Sequence, residues 1–317
     1  MPKNTLGIAA MGGNAMEVVS RIQDLERRGI PAAWLTTGGA GLDGLTLFAA
    51  AAMNTQKILL GTCITPTWPR HPITTVQQTQ VIAKLAPSRF RLGVGPSHKP
   101  SMESTYHFNF QAPLGHLREY IKIVKTLLKN GTIDFDGEYY HAHASIPEAI
   151  DVPVMASALR QNSFALCGEE ADGAISWVSP GAYLRDVALP TMQSAASKAN
   201  RPTPPLVVHA PVCVHDNVDE VHTAARSQIA NYPRLPFYAQ MLVDAGFPEA
   251  QEGIWSDGML EAVVLSGTEQ RVTDRLQQMF DWGAEEIIVS PILAGTNKDA
   301  SWERTISLIA DVAKNYN

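Results

Sequence analysis

Four of the nine histidines stand in segments where acid–base or metal chemistry can be considered. His98 follows a predicted strand, where its imidazole can donate a hydrogen bond to a ligand or be an ordinary loop residue. His71 precedes a predicted helix and is interpreted as architectural. His141 and His143 have metal-like spacing, but they alternate along a predicted strand that follows a helix, so no metal site is predicted.

Two glycine-rich segments invite comparison with nucleotide-binding loops, and each lacks a required feature. The loop from Thr36 to Gly41 has no Walker lysine. The segment GVGPSH, residues 93–98, lacks the third glycine of a dinucleotide fingerprint and the helix that would follow it. Neither a phosphate loop at Thr36 nor a Rossmann domain is therefore favoured.

Two tryptophans and one helix start are better candidates for binding a ligand. Trp68 and Trp177 follow or end predicted strands, where an aromatic face can line the pocket of a flat ligand or pack in the core. Residues 157–162, SALRQN, open a helix directly after a predicted strand, where backbone N–H groups favour a phosphate. Arg160 either adds a positive charge there or is merely solvated.

Composition restricts the class of protein. The 317 residues are 45% hydrophobic and 18% charged, which is typical of a soluble globular protein. A net charge of −6 without a basic run gives no reason to expect nucleic-acid binding. The longest apolar run, 47–53, is far shorter than the roughly 20 residues of a membrane helix. No membrane partner and a cytoplasmic location are expected, and Cys63, Cys167 and Cys213 are interpreted as buried thiols.

Strand-like and helix-like segments alternate along the whole chain. The pattern predicts an α/β fold, a single (β/α)8 TIM-barrel domain over residues 1–317. The predicted strands are at about 5–10, 32–36, 57–63, 89–95, 153–157, 173–177, 206–214 and 285–290.

Two stretches are too long to be simple connections and are predicted to be insertions, at about 96–113 and 233–266. Aromatic residues of the first can cover a pocket at the rim. The second follows a helix, so whether its Tyr238 reaches the barrel mouth depends on how it folds back. Residues 133–144 are predicted to form a hairpin that turns at Asp136-Gly137.

Four segments resemble the luciferase-like flavin and deazaflavin oxidoreductases, most strongly the branch that uses coenzyme F420, a 5-deazaflavin. They occur in the family's order and are distributed over most of the chain. These segments are KILLGTCITPTWPRHPITTVQQTQVIAKLAPSRFRLGVGPSHKP, LREYIKIVKTLLKNG, PVMASALRQNSFALCGEEADGAISW and LSGTEQRVTDRLQQMFDWGAEEIIVSP.

The resemblance implies where such a cofactor binds. In the F420 branch the third strand commonly ends in a bulge with a non-prolyl cis peptide behind the deazaflavin ring, which falls here on Cys63-Ile64. The phosphate loop falls on residues 157–162, although Arg160-Gln161 stand where relatives often have Gly-Pro. The residues expected to contact the cofactor are Thr37, Cys63, Ile64, Thr65, Gly95, Ser97, His98, Ser157, Ala158, Leu159, Arg160, Gln161 and Asn162.

The resemblance also implies an activity. A luciferase-like, F420-dependent oxidoreductase transfers a hydride between the deazaflavin and a small organic substrate, while the protein orients both and keeps the site dry. His98, Trp68 and Trp177 are expected around the reacting face. Thr37 and Gly38 stand where one subgroup has an acidic residue and a histidine, so that histidine's role is not carried over. The alternatives are an FMN-dependent monooxygenase and a non-catalytic flavin-binding barrel; a homodimer or larger homo-oligomer is expected.

Overall fold

The computed structural model describes residues 4–316, and eight parallel strands close there into the predicted barrel. The strands are β1 (Thr5–Ala9), β2 (Ala32–Leu35), β3 (Leu59–Thr62), β4 (Thr65–Pro66), β5 (Phe90–Gly95), β6 (Thr132–Asp136), β7 (His141–Ser145), β8 (Val154–Ser157), β9 (Ala174–Trp177), β10 (Leu206–Val214), β11 (Leu265–Gly267) and β12 (Glu286–Pro291). The barrel order is β1-β2-β3-β5-β8-β9-β10-β12, and pairing between β12 and β1 closes it. The TIM-barrel prediction is confirmed.

Four short strands lie outside the closed barrel. β4 pairs with β5, and β11 pairs with β10. β6 and β7 form a separate antiparallel hairpin in which Asp136 pairs with His141, as the sequence predicts.

Helices separate the barrel strands. Asn14 and Asp43 cap the first two by accepting bonds from the N–H groups of Glu17 and Thr46, as their sequence positions indicate. None of the helices between residues 4 and 316 is long and apolar enough to cross a membrane. The helices are α1 (Ala15–Arg27), α2 (Gly44–Asn54), α3 (Pro72–Leu85), α4 (Lys99–Tyr106), α5 (Pro113–Asn130), α6 (Gln161–Glu170), α7 (Gly181–Tyr183), α8 (Leu189–Lys198), α9 (Val218–Gln228), α10 (Pro236–Asp244), α11 (Asp257–Val263), α12 (Glu269–Asp281) and α13 (Lys298–Ala313).

The two long stretches predicted to be insertions contain structure of their own. The first, about 96–113, carries α4. The second, about 233–266, carries α10, α11 and β11, joined by a 3-10 turn at Pro248–Glu252. Another 3-10 turn, Tyr232–Arg234, begins just before it.

One large indole ring lies in the barrel interior, in a cluster that also includes Met155, Ile175, Val207 and Ile288. Trp34 on β2 is fully buried and points inward, between β1 and β3. A Cβ atom at Gly7 on β1 would lie 2.7 Å from this ring, and one at Gly61 on β3 would lie 2.5 Å from it. Both glycines therefore provide the space that the tryptophan occupies.

A buried ion pair lies beside this tryptophan. The Trp34 indole donates to Glu286 Oε1 over 2.8 Å, and Arg91 Nη2 donates to the same oxygen over 3.0 Å. The guanidinium carbon of Arg91 also lies 4.4 Å from the centre of the Trp34 ring. Because each charge is paired and hydrogen-bonded, the barrel tolerates both of them in its interior.

We expect Gly61→Ala to lower the free energy of unfolding by about 1–3 kcal/mol, because the added methyl group overlaps the buried ring of Trp34. Urea denaturation measures the loss. Gly38→Ala is the matched control, since a Cβ there meets nothing within 4 Å. Equal stability of the two variants would contradict this account of the barrel interior.

Candidate functional site

A cis peptide joins Cys63 to Ile64 at the end of β3, as the family resemblance implies. The end of β2 holds both carbonyl groups of this bulge. The Thr36 hydroxyl donates to Cys63 O over 2.8 Å, and the Thr37 N–H donates to Ile64 O over 3.1 Å. The bulge is therefore anchored to the neighbouring strand at the mouth of the barrel.

Three residues predicted to bind a cofactor meet beside this bulge. A Cβ at Gly95 would lie 2.2 Å from Ser157 Oγ and 3.1 Å from Ile64 Cγ1. Gly93, two residues earlier on the same face of β5, leaves as little room for a side chain, because a Cβ there would lie 2.0 Å from Thr62 O. At Gly95 the side chains of Ser157 and Ile64 therefore lie directly against the backbone of β5, in the space that a side chain at this position would need.

The thiol of Cys63 is an unsuitable nucleophile. Its side chain is buried, and burial raises its pKa to about 12, against a smaller lowering by its hydrogen-bond contact with the Thr36 hydroxyl. The thiol therefore stays protonated near neutral pH, and a nucleophile needs the thiolate. Its place behind the mouth fits packing against a ligand better than covalent chemistry.

The loop before α6 offers fewer free N–H groups than its sequence suggests. The Ser163 hydroxyl accepts from the N–H groups of Leu159 and Arg160 at 2.9 and 3.0 Å, and Ala158 N donates to Ile175 O. The exposed residues Gln161 and Asn162 keep the N–H groups that no helix satisfies in its first turn. The potential anion cradle thus narrows to these two residues. Nothing in the sequence marked Ser163 as the residue whose hydroxyl accepts these N–H groups.

The side chain of Arg160 forms an ion pair with a residue outside its own loop. Its Nη2 atom lies 3.4 Å from Asp244 Oδ2 at the end of α10, and both side chains are partly exposed. The helix start is therefore connected by an ion pair to the second long insertion.

A cluster of aromatic rings lies at the mouth. Trp177 packs 4.1 Å from His209 and 5.7 Å from Tyr232, measured between ring centroids. His98 contacts Tyr232 and Tyr238 at 6.2 and 5.7 Å. Tyr238 of the second insertion therefore reaches the mouth, which the sequence alone did not decide. Burial lowers the pKa of His98, which favours a neutral imidazole in this cluster.

His209 is a candidate that the sequence analysis missed. It lies in β10, where all nine residues are buried, so no alternation of polar and apolar residues distinguishes its inward face. Its Nε2 atom is buried without a hydrogen-bond partner. The Trp177 Nε1 atom forms no hydrogen bond of standard geometry, but it interacts with the Tyr232 hydroxyl, and this contact opposes the rise that burial gives to the pKa of Tyr232. An unpaired buried group such as His209 Nε2 costs about 1–3 kcal/mol, so it calls for an explanation.

The remaining residues singled out from the sequence lie in different surroundings. Thr37 Oγ1 accepts from Gly44 N at the start of α2, and Thr65 Oγ1 is buried without a partner. Ser97 has a left-handed φ of 61° and leads into His98 at the start of α4. His71 accepts a bond from Ile73 N at the start of α3, which agrees with its architectural interpretation.

Trp68 belongs to a second aromatic group. Its ring stacks on His116 with centroids 4.0 Å apart and on Phe110 at 5.1 Å. These rings border a cavity of about 550 Å³ between the first insertion, α5 and the turn of the β6–β7 hairpin. The ring contacts of Trp68 are therefore with these elements, whereas Trp177 packs in the cluster with His209.

His141 and His143 lie on the exposed hairpin. His141 Nδ1 lies 2.7 Å from Asp136 Oδ1, and His143 Nδ1 lies 2.6 Å from Asp134 Oδ1. Within residues 4–316 no group of three or more His, Cys, Asp or Glu residues is arranged to hold a metal ion. Both histidines instead form cross-strand pairs with carboxylates.

Together these features define a TIM barrel with a candidate site for a flat ligand at the carboxyl ends of its strands, which is where enzymes of this fold bind their ligands. The sequence model described as luciferase-like monooxygenase matches residues 2–286. The chain belongs to this family.

Two curated relatives align with this chain over different lengths. The 5,10-methylenetetrahydromethanopterin reductase of Methanolobus tindarius is 25% identical over 306 residues, which covers 90% of this chain and 91% of the relative. The F420-dependent glucose-6-phosphate dehydrogenase of Beutenbergia cavernae is 32% identical over 184 residues, which covers 53% of this chain and 52% of the relative.

Solved structures share the fold over the whole chain. An F420-dependent secondary alcohol dehydrogenase in complex with an F420-acetone adduct has a TM-score of 0.81 at 15% identity and covers 100% of both chains. A type II Baeyer-Villiger monooxygenase from Pseudomonas putida in complex with FMN has a TM-score of 0.73 at 18% identity, covering 99% of this chain and 98% of that one.

Gly95→Ala is expected to lower the free energy of unfolding by about 1–3 kcal/mol, because the new methyl group overlaps Ser157 Oγ. Combining it with Ser157→Gly removes the overlapping atoms. Urea denaturation of both single variants and the double variant gives the coupling energy, which should offset most of the loss. Strictly additive effects would show that these two residues do not oppose each other.

Proposed function

We propose that the chain is an oxidoreductase that binds coenzyme F420 at the barrel mouth and transfers a hydride between the deazaflavin and a small organic substrate. The observation that carries this proposal is the wall formed by the Cys63-Ile64 bulge and Gly95. Because no side chain projects from Gly95, Ser157 and Ile64 lie against its backbone, and a flat ring system can pack on the bulge and these two side chains.

The polar groups of the mouth fit a cofactor of this kind. Thr65 Oγ1 is buried without a hydrogen-bond partner, so a ligand with ring carbonyl and N–H groups can satisfy it. When bound, the deazaflavin supplies the carbon that gives or takes the hydride. Ile64 and Ser157 would hold the ring against the wall, and the aromatic cluster around Trp177 would exclude water.

The choice of F420 is supported by a relative whose name states its dependence on that coenzyme and which shares 32% identity over about half of the chain. A second candidate, FMN-dependent monooxygenation, is favoured by the description of the family. The two candidate functions differ in their need for molecular oxygen, because hydride transfer to an organic acceptor needs none.

Parallel titration of the apo-protein with F420 and FMN tests this proposal. We expect F420 to bind more tightly and the reduced F420 complex to reduce an organic acceptor equally fast with and without air. Tight FMN binding with oxygen-dependent product formation would instead favour the monooxygenase. Binding of either cofactor without turnover of any acceptor would favour a carrier.

We further propose that an anionic group of the cofactor lies at the start of α6. Gln161 and Asn162 provide exposed backbone N–H groups at the positive end of the helix dipole. Arg160 adds a guanidinium that can leave Asp244 for the anion, since their contact is 3.4 Å and partly exposed.

Arg160→Ala should weaken F420 binding by about fivefold at low ionic strength and by less at high salt, because screening weakens exposed charge pairs. Asp244→Asn is the matched control, and it should bind F420 at least as tightly as wild type because it releases Arg160. Fluorescence titration of the cofactor measures both. Wild-type affinity of Arg160→Ala at low salt would leave only the backbone groups as candidates.

The small-molecule substrate, the cytoplasmic location and a dimeric or larger assembly are also proposals. The relatives' names support the first, since each describes an enzyme of small molecules. The family resemblance supports the assembly, and sedimentation equilibrium of the purified chain would measure its mass.

A further inference from the structure

His209 and Trp177 bring two buried ring nitrogens into one layer of the barrel interior. Val207 on β10 and Ile175 on β9 belong to the inward-facing cluster, and strand alternation puts His209 and Trp177 on the same face one step nearer the mouth. The two residues are partners in register, and their rings are 4.1 Å apart. His209 is only 6% exposed, yet its Nε2 atom has no partner.

This pair lies across the barrel from the cis bulge. In the closed order, β10 is four strands from β3 in either direction, so the two strands are diametrically opposed. A flat ring lying against Cys63-Ile64 therefore turns its free face toward His209. Tyr232, just before the second insertion, and Tyr238, within it, border the same space.

We propose that His209 and Trp177 bind the carbonyl oxygen of a small, largely apolar substrate, an inference that rests on the proposed hydride-transfer function. Indole nitrogen only donates hydrogen bonds, and a neutral imidazole with its proton on Nε2 donates a second one. A carbonyl oxygen has two lone pairs and can accept both. The surrounding aromatic rings favour an apolar remainder of the substrate.

The charge state of His209 agrees with this role. Burial lowers its pKa to about 3, so its imidazole is neutral near pH 7 and donates without placing a charge in the barrel. No carboxylate is hydrogen-bonded to it among the described residues, and its ring contact is with Trp177.

The N–H groups of His209 and Trp177 would donate to the substrate oxygen, where negative charge develops during hydride transfer. The carbonyl carbon of the substrate takes up the hydride, and the electron pair of the C=O π bond moves to the oxygen. That oxygen is then protonated by solvent water as the product leaves the site. The substrate is thereby reduced by two electrons and the cofactor is oxidised by two. Donors aimed at such an oxygen are a common source of transition-state stabilisation.

The test uses the F420-loaded full chain and four variants, of which Trp177→Phe serves only to assign a resonance. His209→Phe keeps a ring but removes both nitrogens, and His209→Gln restores a donor near the position of Nε2. His143→Gln, on the exposed hairpin, is the matched control. Reduced F420 is mixed anaerobically with 2-cyclohexen-1-one, cyclohexanone, benzaldehyde or, as a compound without a carbonyl group, cyclohexene. Recovery of the oxidised deazaflavin absorbance reports turnover.

We expect carbonyl probes alone to be reduced, and His209→Phe to lose about 10²-fold in kcat/KM at unchanged F420 affinity. His209→Gln should recover part of the loss, and His143→Gln should match wild type. Independently of turnover, the Trp177 indole N–H proton resonance, assigned with Trp177→Phe, should move downfield when 2-cyclohexen-1-one is added to the oxidised complex.

The contrary outcomes are distinct. Wild type that fails to bind F420 overturns the proposed function and this inference together. Wild type that binds F420 but reduces no carbonyl probe overturns the substrate class. Full activity of His209→Phe, or a Trp177 resonance that does not move, overturns the assignment of the oxygen to this pair.

Discussion

The packing of one indole inside the barrel is the contact on which the other parts of the structure depend. Trp34 needs neighbouring strands without side chains at Gly7 and Gly61, and its nitrogen needs the carboxylate of Glu286. That carboxylate is tolerable in the interior only because Arg91 neutralises it. These residues stand on five strands, β1, β2, β3, β5 and β12, so a single side chain determines how more than half of the barrel is assembled.

This filled layer also determines where a ligand can bind. A TIM barrel is a packed core rather than a pore, and here Trp34 closes the space below the mouth. The inward positions above it, at Cys63, Ser157, Trp177 and His209, are then the ones that a ligand can contact. Ser157 packs tightly against Gly95, so the candidate site combines the cis bulge and a closely packed wall on one side with aromatic side chains on the other.

The sequence predicted the eight strands because buried parallel strands are continuous apolar runs, and the resemblance to the luciferase-like oxidoreductases located the cis peptide. The same continuity concealed His209, since a strand buried on both faces gives no polar alternation. Ser163 was missed because a capping serine is indistinguishable from any other serine before its backbone partners are known. Trp68 and Trp177 had equivalent positions after strands, but only tertiary packing separates them into two clusters.

The ion pair between Arg160 and Asp244 joins a helix start to an insertion that is distant in sequence. An anion that draws the guanidinium away from Asp244 releases one attachment of α10, whose Tyr238 lies over the mouth. Thermodynamic linkage makes the relation reciprocal: whatever holds the insertion down weakens anion binding by the same factor. With the proposed anion bound, the start of α6 and the end of α10 would compete for one guanidinium, and ionic strength would weaken both contacts.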